Sequence, residues 1–174
     1  ISKTKTAVPV LASVQTALFA YGDQLVSHLQ RETDGGLDGR ILLRLGALFH
    51  DVGKKDTQTV AEDGRIRFFG HDDEGARITS RRLHRLSLSN KSVAHVKFIV
   101  VGHMRPLHLA SSRPAEASTS QLISRRAIYR FFRDTGTAGL DICLLSLADH
   151  LATYNGPGDE DTWSRLLRVV TTLF

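Results

Sequence analysis

Cysteine is almost missing from this 174-residue chain: Cys143 is the single one. That excludes an internal disulfide framework and a cysteine-based zinc site, and it fits a cytoplasmic origin. Long apolar runs are missing as well. The longest fall far short of the roughly 20 residues that span a bilayer, so no membrane partner is expected. The opening Ile1-Ser2-Lys3-Thr4-Lys5-Thr6 has no apolar segment behind it and does not read as a secretory signal. The chain lacks an initiator Met, which is read as the mark of a processed product or of a fragment of a longer protein. Neither an internal repeat nor a linker-length break is visible. Residues 1–174 are therefore expected to form one domain, with a core over about 10–155 and a C-terminal helix over 160–174.

What is present is ordinary for a globular protein: 41% hydrophobic and 24% charged residues. The formal net charge is +5 and the sequence pI about 9.7. An arginine-rich basic surplus favours phosphate-bearing partners, a nucleotide or RNA.

The periodicity is helical nearly throughout. Val8, Leu11, Val14, Leu18, Leu25 and Leu29 predict one long helix over 7–31, with Pro9 near its start. Thr33-Asp34-Gly35-Gly36 reads as a turn. Asp38 is placed to cap a second helix carrying Ile41, Leu42, Leu45 and Leu48; its apolar residues cover most of its circumference, so it is expected to be central. Residues 52–72 are irregular, with a small hairpin about Asp63-Gly64 and Phe68 and Phe69 pinning the loop. A third helix from about Asp73 to Leu86 starts acidic, as the macrodipole favours, and presents Arg77, Arg81, Arg82 and Arg85. Ser89 or Asn90 caps a fourth, through Val93, Val96, Ile99, Val100 and His103, which Met104-Arg105-Pro106 ends. A small polar stretch over 111–119 reads as a mobile loop. Helices follow over about 120–134, with Arg125, Arg126, Arg130 and Arg133, and over 140–154, very apolar and carrying Asp149 and His150. In the last helix Trp163, Leu166, Leu167, Val170 and Leu173 face inward. The fold class is all-α, a helical bundle with a small irregular or hairpin insertion around 56–70.

The chemistry concentrates where the apolar run Leu42–Phe49 ends in His50-Asp51, followed by Val52-Gly53-Lys54. An imidazole nitrogen beside a carboxylate oxygen suits a divalent metal (Mn, Mg, Ni, Fe or Zn). His71, His103 and Asp149 are further ligand-capable residues, each beside an apolar surface. Taken singly each has a plain explanation: a histidine at a helix end satisfies the last carbonyls, and an aspartate caps a neighbour. His28, His84, His95 and His108 sit in no motif, and His150 is expected to point away from the side of its helix that Asp149 occupies.

Taken together and in order, His50-Asp51, Phe69-Gly70-His71 with Gly75-Ala76, Val101-Gly102-His103-Met104-Arg105-Pro106 and Leu147-Ala148-Asp149 form a specific pattern. It resembles the HD domain carried by the tRNA nucleotidyltransferase (CCA-adding enzyme) and poly(A) polymerase family, a branch of the HD superfamily of metal-dependent phosphohydrolases. The stretches Arg82–Asn90 and Arg126–Arg133 read like that branch too. The resemblance covers roughly residues 10–155 and implies an HD-domain bundle. It implies His50, Asp51 and Asp149 as primary metal ligands, with His71 and His103 matching the additional histidines of two-metal members. The chain departs from the pattern at the early histidine of the first helix: Gln15 or Thr16 stands there, and His28, on the same helix but outside that context, is only a candidate substitute.

The implied reaction is hydrolysis of a phosphomonoester or phosphodiester on nucleotides or RNA ends. Asp51 would orient the attacking water and Lys54 would contact a substrate phosphate. Arg81 and Arg105 are phosphate-clamp candidates, and Arg126 and Arg130 candidates for holding RNA, tRNA included, by its backbone. No Gly-Ser or Gly-Gly motif is followed by Arg-Asp and an Asp-x-Asp, so the nucleotide-adding head of that family is not in this chain. An N-terminal nucleotidyltransferase domain would lie outside it. Two alternatives stand beside the hydrolase: a non-catalytic RNA-binding or scaffold HD domain, and a hydrolase acting on nucleotides such as guanosine alarmones.

Overall fold

The computed structural model describes residues 7–33, 35–111 and 123–174. The chain forms α1 (Ala7–Leu18), α2 (Gly22–Gln30), α3 (Gly39–Phe49), α4 (Lys54–Thr57), β1 (Thr59–Val60), β2 (Ile66–Arg67), α5 (His71–Arg85), α6 (Asn90–Gly102), α7 (Arg105–Ser111), α8 (Arg125–Thr135), α9 (Ala138–Tyr154) and α10 (Glu160–Leu173). It is all-α apart from the small antiparallel hairpin, whose register pairs Thr59 with Arg67 and Val60 with Ile66. The hairpin turns at Asp63-Gly64, Gly64 taking the positive φ of 76° that the sequence pair suggests. The Asp34 position of the expected turn, the 112–119 part of the expected loop and the first three residues of the expected 120–134 helix lie outside the described residues.

Side-chain caps define the helix starts. Asp38 accepts from the Ile41 amide, Ser89 from Ser92, Ser124 from Ala127 and Asp159 from Thr162. Each removes one orphaned amide from the first turn.

The structure corrects several expectations. The predicted helix over 7–31 breaks at a 3₁₀ turn, Phe19–Tyr21. Tyr21 there donates its hydroxyl to the Thr171 carbonyl of α10 at 3.0 Å and lays its ring against Phe174. That tertiary contact, with Gly22 beside it, outweighs the local helical periodicity. The helix at the centre is α6 rather than α3. It packs against α3, α5, α8 and α9, and Val96, Ile99 and Val100 are fully buried. α3 buries Leu42 and Gly46 but leaves Leu48 73% exposed. Phe69 is likewise exposed, so Phe68 alone holds the loop. Pro106 does end α6, yet no loop follows at once. The chain turns at His103-Met104 and enters α7 with Pro106 in the first turn, where its missing N–H breaks no helical bond.

The main core lies between α6, α7, α9 and α10: Ile99, Ile142, Cys143, Trp163, Leu166, Val169 and Val170 are buried together. Burial pushes the Cys143 thiol far up, so it behaves as a small apolar side chain. A second cluster, Leu42, Leu83, Val93 and Val96, joins α3, α5 and α6. Each such aliphatic side chain contributes about 1.5–3 kcal/mol when fully buried. Gly46 sets the closest crossing: a Cβ there would strike the Ile99 side chain, so α3 can lie flat on α6.

Sequence reading passed over a buried polar staple. Asp141 of α9 is fully buried, and its Oδ2 accepts from His28 Nε2 of α2 at 2.9 Å and from His95 Nε2 of α6 at 2.7 Å. Burial pushes the Asp141 carboxyl up, but the two imidazole hydrogen bonds push it further down, below its ordinary value. Its contribution to stability is therefore complete above the unfolded value of about 4 and is lost as pH falls through the folded value. Asp141→Ala is expected to cost about 3–5 kcal/mol in urea denaturation at pH 7, leaving two buried imidazoles unpaired. The gap from wild type should narrow in acid as Asp141 itself protonates. A loss under about 1 kcal/mol, or a gap independent of pH, would show that the staple contributes little.

Candidate metal centre

Four helix ends meet at one place. His50 follows the last residue of α3 and His103 the last residue of α6, both still in right-handed helical conformation. His71 opens α5 behind Gly70, and Asp149 lies one turn from the end of α9. Asp51 sits in the turn between α3 and α4. That turn approaches α5 so closely that a Cβ on Gly53 would strike the His71 carbonyl and the Gly75 amide nitrogen. Only glycine lets the His50-Asp51 turn and the His71 turn share this space.

All three imidazoles are oriented by one device. Nδ1 of His50 donates to the Ala47 carbonyl at 2.8 Å, Nδ1 of His71 to Phe68 at 2.8 Å, and Nδ1 of His103 to Val100 at 2.7 Å. A carbonyl only accepts, so each Nδ1 carries the proton and each ring turns Nε2 inward, where a neutral ring would present its lone pair. His71 and His103 then face each other Nε2 to Nε2 at 3.4 Å, and both lie 3.8 Å from Asp51 Oδ1. His50 Nε2 is 3.3 Å from Asp51 Oδ2 and 3.4 Å from Asp149 Oδ1. The two imidazole nitrogens of His71 and His103 are within hydrogen-bond distance of each other, the 3.8 Å approaches are too long for hydrogen bonds, and His50 Nε2 and Asp51 Oδ1 are both buried without a partner.

Lone pairs and carboxylate oxygens facing one another repel unless a positive charge lies among them. Ligand atoms held about 2.1 Å from one ion stand roughly 3–3.4 Å apart in octahedral or tetrahedral arrangement, close to the spacings here. Asp51, His71 and His103 form the tightest group. Carbonyl partners on each Nδ1 are the outer hydrogen bonds that metal-binding imidazoles require. The residues present therefore fit a divalent cation. The electrostatics divide the imidazoles: burial holds His103 below the usual imidazole value, which favours its neutral ring, with His50 and His71 adding to the effect, whereas His50 is shifted toward the charged ring in the ion-free chain. The Asp149 carboxylate raises His50, and His50 in turn holds Asp149 below the usual carboxylate range.

Thus His50, Asp51, His71, His103 and Asp149 come together. Lys54 joins them, its Nζ 2.5 Å from Asp51 Oδ2. Arg105 is two residues past His103 and pairs with Asp134 at 3.3 Å. With Arg126 and Arg130 it lines a cleft of about 420 Å³ between α7 and α8, floored by Leu109, Ala127 and Phe131. Arg81 is not among them. Nearness in sequence to His71 misleads here, because ten residues of helix carry it about 15 Å along α5. It lines a groove with Arg77 and Lys97 instead. His28 is no substitute at the centre either, being bound to Asp141. Gln15 and Thr16 are exposed on α1. His150 donates to the Pro157 carbonyl, away from the cluster. The missed His28, His95 and Asp141 carried one sequence signal, a lone charge inside the apolar run Leu140–Leu145.

The model of the HD domain family matches residues 24–154. The chain belongs to the HD domain family. Residues His50 to Asp149 of the centre all fall inside the matched segment. Over 111 residues, 63% of this chain and 22% of the relative, it is 39% identical to a CC-adding tRNA nucleotidyltransferase of Thermus thermophilus. Over 68 residues, 38% of this chain and 16% of the relative, it is 43% identical to an A-adding tRNA nucleotidyltransferase of Deinococcus radiodurans. The chain matches less than a quarter of the length of these relatives. Among the described residues no helix is long and apolar enough to cross a membrane.

Gly53→Ala would push the His50-Asp51 turn away from α5. Mn²⁺ affinity measured by calorimetry should fall about 10–100-fold, the loss seen when the support of ligands is disturbed. Affinity unchanged in a folded variant would mean that the close approach does not set the centre.

Proposed function

We propose that this HD domain is a metal-dependent phosphohydrolase acting on phosphomonoesters or phosphodiesters of nucleotides or RNA ends. One observation carries the reading: three imidazoles, each tied through Nδ1 to a backbone carbonyl, converge by Nε2 on the Asp51 carboxylate. His50, Asp51, His71, His103 and Asp149 line the site that would hold the ion, with Asp51, His71 and His103 the tightest group. When bound, a divalent ion supplies Lewis acidity, making water more acidic and polarising a phosphoryl oxygen. Asp51 orients the attacking water through its carboxylate. Lys54, whose side chain is 41% exposed, presents its ammonium to a substrate phosphate. Arg105 stands at the mouth of the neighbouring cleft and clamps a further phosphate.

The similarity to CC-adding and A-adding enzymes supports a setting in tRNA or other RNA processing. In this reading residues 1–174 are one HD domain of a longer cytoplasmic protein with an N-terminal nucleotidyltransferase domain. Arg126 and Arg130 hold RNA by its backbone at the α7–α8 cleft, and Arg81 adds a contact on α5. That basic cleft favours the second reading, a non-catalytic RNA-binding scaffold. A guanosine-alarmone or other nucleotide hydrolase would use the same centre without the cleft.

Hydrolysis of a generic phosphodiester and of 2′,3′-cyclic nucleotides, with Mn, Ni, Mg or Zn added, tests the enzyme reading. His50→Ala and Asp51→Ala should each reduce the rate at least 100-fold, about 2.7 kcal/mol of barrier. No turnover and no bound metal under any condition, together with salt-sensitive RNA binding weakened by Arg126→Ala and Arg130→Ala, would replace the hydrolase with the scaffold.

A further inference from the structure

The Asp51 carboxylate divides the centre into two unequal lobes. Oδ1 faces His71 and His103, at 3.8 Å from each Nε2. Oδ2 faces His50 at 3.3 Å, and Asp149 Oδ1 approaches the same imidazole at 3.4 Å. The first lobe holds two neutral nitrogens and one oxygen. The second holds oxygens of two carboxylates around a single imidazole. The His103 ring lies between the lobes, its centroid 5.3 Å from those of both His50 and His71, but its Nε2 is turned to Asp51 Oδ1 and His71; among the described residues His28 and His95 do not add to the second lobe, being engaged by Asp141.

Two carboxylates gathered in one half-buried place repel, and the lobe needs positive charge. Lys54 brings it. Its Nζ lies 2.5 Å from Asp51 Oδ2, the distance of a strong charge-assisted hydrogen bond. After His50 and His103, Lys54 is also among the charges that hold Asp149 below the usual carboxylate range. The long side chain is fixed at both ends. Its backbone amide donates to the Asp51 carbonyl at 3.0 Å, and its ammonium stands over the Phe68 ring, 5.7 Å from the centroid. Phe68 is the residue whose carbonyl also holds His71. One loop residue therefore positions the amine of the second lobe and an imidazole of the first.

We propose that the Lys54 ammonium is the resident cation of the His50–Asp149 lobe, so that the centre takes one divalent ion, among Asp51 Oδ1, His71 and His103. The inference rests on reading the cluster as a metal centre. A second divalent ion would have to displace the ammonium from Asp51 Oδ2 and take its charge into an already positive site.

Mn²⁺ binding to the whole chain tests this through stoichiometry and electron paramagnetic resonance, without any assay of turnover. Wild type is expected to bind one Mn²⁺ per chain with an uncoupled spectrum, and His103→Ala to lose it. Lys54→Met and Lys54→Gln should each take up a second ion, with the spectrum of a spin-coupled pair. Lys54→Arg, which keeps the charge, should stay at one. Circular dichroism melting confirms folding, which a part-exposed lysine is not expected to control. Two ions in wild type, or one ion still in both neutral variants, overturns the proposal while leaving the metal centre standing. No ion in any variant or in wild type overturns both.

Discussion

One hydrogen bond, made three times, governs this molecule: an imidazole Nδ1 donating to the backbone carbonyl three residues before it. For His50 and His103 the carbonyl belongs to the last turn of a helix, where intrahelical amides run out. For His71 it belongs to the loop entering α5. In each case one contact satisfies the chain, fixes the tautomer and aims Nε2. The plain explanation of a histidine at a helix end and the ligand explanation are therefore not rivals. The ring nitrogen that caps the helix is what commits the other nitrogen to the centre.

The rest of the fold keeps those three donors in register. α6 is buried on most sides, so His103 at its end is the least exposed member, at 2%. Gly46 lets α3 approach α6, and Gly53 lets the following turn approach α5. The Asp141 staple does the same work from the other side. His95 precedes His103 on α6 by eight residues, and Asp141 precedes Asp149 on α9 by eight, about 12 Å along each helix. The same two helices are thus clamped together two turns behind the centre by a polar network in which Asp141 Oδ2 takes both imidazoles and Oδ1 stays unpaired. There the imidazoles donate to a carboxylate and the charges are spent on structure. At the centre they are left pointing at one another.

Sequence made most of this legible where a local rule and the tertiary outcome agree. Asp38 and Ser89 cap helices because capping is settled within four residues. Asp63-Gly64 turns the hairpin because the φ it needs is local. His50, Asp51, His71, His103 and Asp149 were found through ordered motifs, and they are brought together. What sequence missed is what packing decides. The break at Phe19–Tyr21 depends on Thr171 and Phe174, some 150 residues away. The centrality of α6 depends on neighbours, since α3 is as apolar in composition yet exposes Leu48. α7 is hidden because proline is a stop inside a helix but also a good first-turn residue. Arg81 is near His71 in sequence but not in space, because the helix between them carries it away.

The division of Asp51 also changes what the missing first-helix histidine means. With Gln15 or Thr16 in that position, an imidazole is subtracted from the ligands available to the HD pattern, which suggests a weakened or vestigial centre. Yet the subtraction bears on one side only. His71, His103 and Asp51 Oδ1 keep their convergence and their outer hydrogen bonds, none of which involves α1. The side with His50 and Asp149 retains a carboxylate surplus that Lys54 already offsets. A centre that had lost its function would be expected to relax its repulsions, by pairing His50 Nε2 or Asp51 Oδ1 with a neighbouring donor. Both atoms stay buried and unpaired, and the backbone contacts that hold them so are intact. In the ion-free chain the carboxylates are offset by Lys54 and by the shift of His50 toward its charged form, and a bound cation would take over that charge among the same atoms.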